Sequence, residues 1–328
     1  PPRPPRHGWR RAWAWFHGLA LAAAIVVGLV MGLDGAVGVV ALFVLVVPFE
    51  KLFRRHPHGV RRPGLRTDLT YALVSPVINA IGIVAAVLVA VAVLPLWLPA
   101  LALRPLVTAQ PGWLLTLESV LILDILIYWT HRLSHEIGFL WRFHAVHHSS
   151  ERMDWISGVR AHPFDGFIIG APVVLMAIAG FSLETVGIFA VLSFVIGLFA
   201  HANVRWRLRP LHPIIMTPEF HHWHHANHPE SIHTNYSVFL PLWDIIWGTY
   251  RMPADERPLR YGMDDPIADG VVGQMLHPWR REIRHRYPFR PEARRLWQRL
   301  RRRLPRRRGF GAGPYGGLAP PGSPSSLA

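Results

Sequence analysis

Between Tyr128 and Ser149 the chain reads YWTHRLSHEIGFLWRFHAVHHS, which sets His131 and His135 four apart and then groups His144, His147 and His148 as H-x-x-H-H. Further on, FHHWHH repeats that spacing with His221, His224 and His225. Residues at i, i+3 and i+4 share a helix face. The first pair therefore predicts two imidazoles directed at one spot, and each H-x-x-H-H run predicts three. Imidazole is the common nitrogen ligand for iron, copper, nickel and zinc. Eight histidines in three spaced clusters exceed what one tetrahedral ion needs, which predicts two metals. A lone pair at helical spacing would be packing; two clusters of identical spacing are what favour ligation. His135-Glu136 is followed by Phe139 where H-E-x-x-H needs histidine, so the zinc-protease signature is absent. The chain has no cysteine, which excludes thiolate zinc sites, iron–sulfur clusters and disulfides.

The elements that position these residues are apolar. Hydrophobic residues make up 51% of the 328, and several runs approach the ~20 residues that cross a bilayer as helix. The opening PPRPPRHGWRR is a Pro/Arg arm, and since the sequence starts at Pro1, at least a start methionine is expected ahead of it. Trp13 and Trp15 sit where interfacial aromatics belong. Spans are predicted at 14–33 and 35–50, with Gly32 to Gly35 as the turn. A second apolar run so soon after the first, with no A-x-A-like site, predicts a retained hairpin rather than a cleaved leader. The loop at 51–66 is basic like the N-terminus, and the positive-inside rule makes both cytoplasmic. A third span at about 74–98, a Pro-punctuated stretch Pro95–Pro111 and a fourth span at about 113–130 then deliver His131 to the cytoplasmic face. Two further apolar runs at 164–200, divided near Gly180, predict a hairpin whose ends return to the histidines. The expected fold is all-α: an integral membrane helical bundle of about four spanning helices plus an apolar helical hairpin, with a cytosolic histidine-rich helical cap at 203–250.

With the motifs in place, HRLSH, HAVHH and HHWHH in this order resemble the three histidine boxes of the fatty acid hydroxylase/sterol desaturase superfamily of integral-membrane di-iron oxygenases. The flanks agree: Asp124-x3-Tyr128-Trp129-x-His131-Arg132 before the first box, and Asn235-Tyr236 with Trp243-Asp244-x3-Gly248-Thr249 after the third. HHSSE at 147–151 and TPEFHHWHH are similar to the alkylglycerol monooxygenase branch. The resemblance covers about residues 115–250. His233 stands where the family often has an acidic residue, and Ser237 where it often has Gly. The resemblance implies two iron ions, dioxygen as co-substrate, a lipid substrate drawn from the bilayer, and electrons from a separate donor such as a reductase with a ferredoxin or cytochrome b5-like protein. It implies hydroxylation of a lipid C–H bond, with desaturation or ether cleavage as outcomes the boxes alone do not separate. A metal-binding or transport protein without turnover is the rival of another class. Transport favours polar groups spread along the spans, whereas here the histidines collect at one membrane face.

As ligands we read His131, His135, His144, His147, His148, His221, His224 and His225. His201 is added because it closes the apolar segment and its HAN resembles the family's extra histidine; the competing role is bonding free carbonyls at a helix end. His162 and Asn235 are read as supporting residues. Asp124 lies inside an apolar span seven residues before His131, on the same helix face, which predicts that it orients that imidazole; a helix–helix hydrogen bond is the alternative. Asp244 is read as fixing a turn. His222, His228 and His233 are expected at the rim, and His56, His58, His212 and His277 in solvent or at the interface. Trp141, Trp155, Trp206, Trp223, Trp243 and Trp247 are read as channel walls or interfacial anchors.

The resulting organisation is a disordered arm at 1–11, a transmembrane hairpin and basic loop at 12–66, and a membrane-embedded di-iron oxygenase domain at 67–250. A basic cytosolic segment follows at 251–304, with an Arg-rich amphipathic helix over 276–304, and then a disordered tail at 305–328. The net charge of +15 lies mostly in the arm, the 51–66 loop and the segment from Arg280 to Arg308. Nucleic acid would need a reading or stacking fold that the sequence does not carry, whereas anionic lipid headgroups account for the same charge. The Arg-over-Lys bias points to a GC-rich genome and a bacterial plasma membrane, with both termini cytoplasmic.

Overall fold

The computed structural model describes residues 46–58 and 61–280. Among these it is all-helical, with no strand and two isolated bridges, Arg54 to Val204 and Ala226 to Tyr261. The Pro/Arg arm, the span at 14–33, most of that at 35–50, nearly all of the Arg-rich helix at 276–304 and the tail fall outside the described residues.

Helix α1 (Leu65–Ala92) begins lower than the expected third span and bends by 47° between Ser75 and Val77. Pro76, at the break, brings no backbone N–H to the helix ladder, the usual cause of such a kink. Its outward residues Leu73, Val77, Val84 and Leu88 are exposed and apolar. The stretch expected to be a Pro-punctuated connection folds instead as α2 (Leu98–Thr108), because its Leu and Ala are strong helix formers and Pro99 sits in the first turn. Helix α3 (Gly112–Glu136) runs past the expected end at residue 130 and carries both histidines of the first box in its last two turns. After α4 (Gly138–His144) the chain passes through turns at His147–Ser149 and Trp155–Val159 into a hairpin of α5 (Pro163–Ala179) and α6 (Leu183–His201). Gly180, at φ 103°, closes α5 where the sequence placed the division. Short helices α7 (Pro218–His224) and α8 (Leu242–Ile246) fall in the segment read as the cap, and α9 (Val271–Met275) follows it.

Among the described residues two helices, α3 and α6, are long and apolar enough to cross a bilayer, and α1 makes a third if its bent halves form one span. Helix α5 is a shorter apolar helix. Leu123 and Ile127 of α3 pack with Met176 and Ala179 of α5 and Phe181, Val186 and Phe189. Tyr71 and Ile78 of α1 pack with Val146, Trp155, Ile156, Val159 and Leu198. Where α1 meets the start of α5 the backbones touch. A Cβ on Gly82 would lie 2.1 Å from the Pro163 carbonyl, and one on Gly166 would lie 2.7 Å from that of Asn79. Small residues that allow such approach are how helices associate where lipid removes the hydrophobic drive.

Not all of the basic loop is exposed. Arg62 is buried between Asp68 (2.7 Å) and Asp154 (2.5 Å), and Arg160 binds the other oxygen of Asp68 at 2.5 Å. This charge-balanced cluster ties the foot of α1 to the segment after the second box. Several histidines expected at the rim or in solvent are buried as well: His222 and His277 at 0%, His212 at 6% and His233 at 8% exposure.

Gly82→Val is expected to force α1 from α5 and destabilise the fold by about 3 kcal/mol, the upper range for overpacking. Gly187→Ala, where an added Cβ meets nothing, is the neutral control; thermal melting in detergent distinguishes the two.

Candidate metal centre

The structure gathers all nine histidines read as ligands into two groups. One holds His131, His135, His144, His148 and His224; the other holds His147, His201, His221 and His225. Within each group the ligand atoms lie within 4.8 Å of one another. The groups adjoin: the rings of His148 and His225 stack at 4.1 Å.

The sequence expectation that each H-x-x-H-H run aims three imidazoles at one spot is corrected. A helix turns about 100° per residue, so i+4 lies about 40° to one side of i and i+3 about 60° to the other. His144 and His148, at i and i+4, enter the first group while His147, at i+3, enters the second. In the third box the assignment is mirrored: His221 and His225 join the second group and His224 the first. In both boxes the helix ends within the motif, at His144 and at His224. Each of these two boxes therefore contributes to both groups.

Ring orientation is fixed from outside. A carbonyl or carboxylate oxygen can only accept, so each contact to one places a proton on the imidazole nitrogen that makes it. His131 Nδ1 donates to the Tyr236 carbonyl (2.6 Å), His224 Nδ1 to that of Thr234 (3.0 Å) and His147 Nδ1 to that of Arg160 (3.1 Å). His144 Nδ1 donates to the Asp165 carboxylate at 2.8 Å. His201 Nδ1 donates to the Gly197 carbonyl at 2.7 Å. The helix-end role and the ligand role foreseen as alternatives for His201 thus fall on its two different nitrogens. With Nδ1 protonated, Nε2 of each neutral ring keeps its lone pair.

Those lone pairs suit metal ions. His144 Nε2, His148 Nε2 and His224 Nε2 are buried without a hydrogen-bond partner. In the second group the Nε2 atoms of His201, His221 and His225 stand 3.0 to 3.2 Å apart. Burial, and then neighbouring imidazoles, hold His148, His221, His224 and His225 well below the usual histidine range. Burial pushes His144 down to about 3 and His147 to about 4. All are neutral at pH 7, the form that ligates.

The supporting residues differ from expectation in part. Asp124 does not touch His131; its Oδ2 accepts from Trp243 Nε1 (2.8 Å) and the Leu240 amide (3.1 Å). Seven helical residues rise about 10 Å, so a shared face did not bring the carboxylate within reach. His162 stands outside both groups and caps α5, accepting from the Phe164 amide at 3.1 Å. Asn235, at φ 58°, donates to the carbonyls of Phe220 (3.1 Å) and Arg251 (2.9 Å), tying the helix of the third box to the segment at Arg251. Asp244 fixes a turn as read, accepting from the amides of Tyr236 (2.9 Å) and Ser237 (2.8 Å), and so steadies the carbonyl that receives His131.

Sequence reasoning missed two contributors. Asp165 reads as an ordinary first-turn helix acid, and it does cap α5 through the His162 amide at 2.7 Å while also holding His144. Gly158 lies against the His201 ring, where a Cβ would come within 2.8 Å of Nδ1. Of the tryptophans, Trp155 and Trp223 are buried in the interior, and Trp141 lies against His135 and His148 at 5.2 and 5.3 Å.

Asp165→Asn is expected to lower metal affinity 10- to 100-fold, the usual effect of removing a carboxylate behind a ligating histidine, whereas Asp124→Asn retains full metal; elemental analysis after chelator challenge checks both. The metal-free protein is expected to lose stability as pH falls from about 6.5 to about 4. His147 and His56, each held near 4 when folded, are protonated in that window only when unfolded. The buried His147 then costs up to about 1.4 kcal/mol per pH unit and the partly exposed His56 less, because solvent screens it, which melting curves against pH would show.

A family model described as fatty acid hydroxylase matches residues 116–249. The chain is similar to the ornithine lipid hydroxylase OlsE of Rhizobium tropici, 31% identical over 264 residues, covering 76% of this chain and 74% of that protein. It is also similar to the alkylglycerol monooxygenase of Danio rerio, 31% identical over 199 residues, 59% of this chain and 39% of that protein. A third similarity is to the very-long-chain aldehyde decarbonylase GL1-4 of Oryza sativa subsp. japonica, 32% identical over 146 residues, 40% of this chain and 23% of that protein. The chain thus spans well under half the length of the latter two. No solved structure matches.

Proposed function

This chain belongs to the fatty acid hydroxylase family, and on that premise we propose that it is a membrane di-iron oxygenase that hydroxylates a lipid C–H bond. The observation that carries the reading is the convergence of nine imidazoles, from all three boxes and His201, into two adjoining groups. Two irons bound there would supply the redox chemistry that lets dioxygen attack an unactivated C–H bond. The protein's part is to hold and shelter them. Carbonyls of Tyr236, Thr234, Arg160 and Gly197 and the carboxylate of Asp165 fix the rings, and burial keeps bulk water from the reacting centre. Exposed Leu133, Ile137 and Phe139, where α3 passes into α4, give an acyl chain an apolar approach from the bilayer.

In this reading the boxes and both termini face the cytoplasm, anionic headgroups meet the basic segments, and a reductase with a ferredoxin or cytochrome b5-like protein delivers electrons. Similarity to the alkylglycerol monooxygenases favours a second outcome, hydroxylation beside an ether oxygen so that the ether is cleaved. Lipid mass spectrometry on cells grown under oxygen-18, comparing the intact protein with His147→Ala, tests the proposal. One heavy oxygen gained by a lipid only with intact protein is the expected result. A desaturated lipid without label would make the enzyme a desaturase, and a shortened ether lipid would select the second reading.

A further inference from the structure

We infer that Tyr236, Tyr128, Trp247 and Trp129 form a relay that carries oxidising equivalents from the histidine centre to the edge of the protein. The inference rests on the oxygenase reading, since the oxidant arises at the metals. Tyr236 is wholly buried, its ring 5.2 Å from that of His135, 6.0 Å from His224 and 6.1 Å from His131. Tyr128, also wholly buried, follows at 6.2 Å. Trp247 stacks on Tyr128 at 5.1 Å with the planes 22° apart, and Trp129 meets Trp247 at 5.1 Å. The two indoles are half-buried, so the series runs from the centre outward through oxidisable rings in contact.

Space-filling alone would explain the rings but not their hydroxyl partners. A phenol oxidised at neutral pH must shed its proton. Tyr236 Oη lies 3.2 Å from His233 Nδ1, and His233 is the residue at which this chain departs from the family's acidic position. Tyr128 Oη lies 3.0 Å from Thr249 Oγ1, whose hydroxyl donates in turn to Asp244. Both phenols therefore have a route for the proton.

Iron bound at the histidines would supply the oxidant for the relay when no lipid C–H bond is in place. Tyr236 would then lose one electron to that oxidant and its proton to His233, leaving a neutral tyrosyl radical. An electron passed from Trp247 through Tyr128 restores Tyr236, which takes its proton back. The resulting indole radical cation is reduced by a small thiol at the protein edge. That thiol loses one electron and one proton, and two thiyl radicals pair as a disulfide. Oxidation is thereby drawn away from the imidazoles.

The test uses the iron-loaded full chain, reduced and then exposed to oxygen without lipid, read by freeze-quench electron paramagnetic resonance and by peptide mass spectrometry. We expect a tyrosyl signal in the wild type, its loss in Tyr236→Phe, a longer-lived signal in Trp247→Phe, and oxidised indole at Trp247 and Trp129. Both substitutions keep an aromatic ring, and iron content reports that the centre is intact. Oxidation at Trp141 instead, or a tyrosyl signal unchanged in Tyr236→Phe, would overturn the relay. Lipid hydroxylation without that radical sinks the relay alone. No oxygen consumption even with lipid and reductant sinks the oxygenase reading and the relay with it.

Discussion

Nine imidazoles packed within reach of one another can stay buried only while they are neutral, and that requirement organises this protein. A neutral ring has one N–H and one lone pair, and the structure assigns them opposite directions. Outward, Nδ1 protons of five rings go to four backbone carbonyls and Asp165; inward, Nε2 lone pairs face one another. An isolated donor left in such an interior would cost several kcal/mol. The carbonyls must therefore be held as firmly as the histidines, and much of the cap serves that end. Asp244 fixes the turn that presents the Tyr236 carbonyl, and Arg160, itself anchored on Asp68, presents the carbonyl for His147.

The membrane helices supply rigidity to the same end. α3 brings His131 and His135 as one piece, with Ile127 and Leu123 locked into the apolar interior one and two turns below His131. α6 brings His201 at its last turn. α1 contributes no histidine to either group, yet it touches the start of α5 through Gly82 and Gly166, and Asp165 lies in the first turn of α5. Backbone contact between these two helices thus reaches His144, a member of the first histidine group, through one carboxylate.

What the sequence disclosed follows the range of its signals. Periodicity and spacing are local, so the boxes, the apolar runs and the break at Gly180 were legible. His201 was found because it ends an apolar run. The role of Asp165 was hidden because an acid in a helix's first turn already has a sufficient local explanation, and its bond to His144 crosses 21 residues. Asp124 was misjudged because facing is an angular property and hydrogen bonding needs distance as well. Arg62 looked like surface charge because its partners, Asp68 and Asp154, lie in segments that only folding brings together. The burial of His222 was equally out of reach, since the Arg55 guanidinium 2.9 Å from its ring comes from a segment 167 residues away.

The divided allegiance of the second and third boxes means that the two histidine groups share their supports. A small rotation of the turn bearing His144, His147 and His148 about its axis swings two rings of one group and one of the other in the same motion. The third box repeats this coupling with the roles exchanged. The spacing of the two groups therefore follows helical pitch as well as any single side chain, and a change in the shape of one group is transmitted to its neighbour through the box they share.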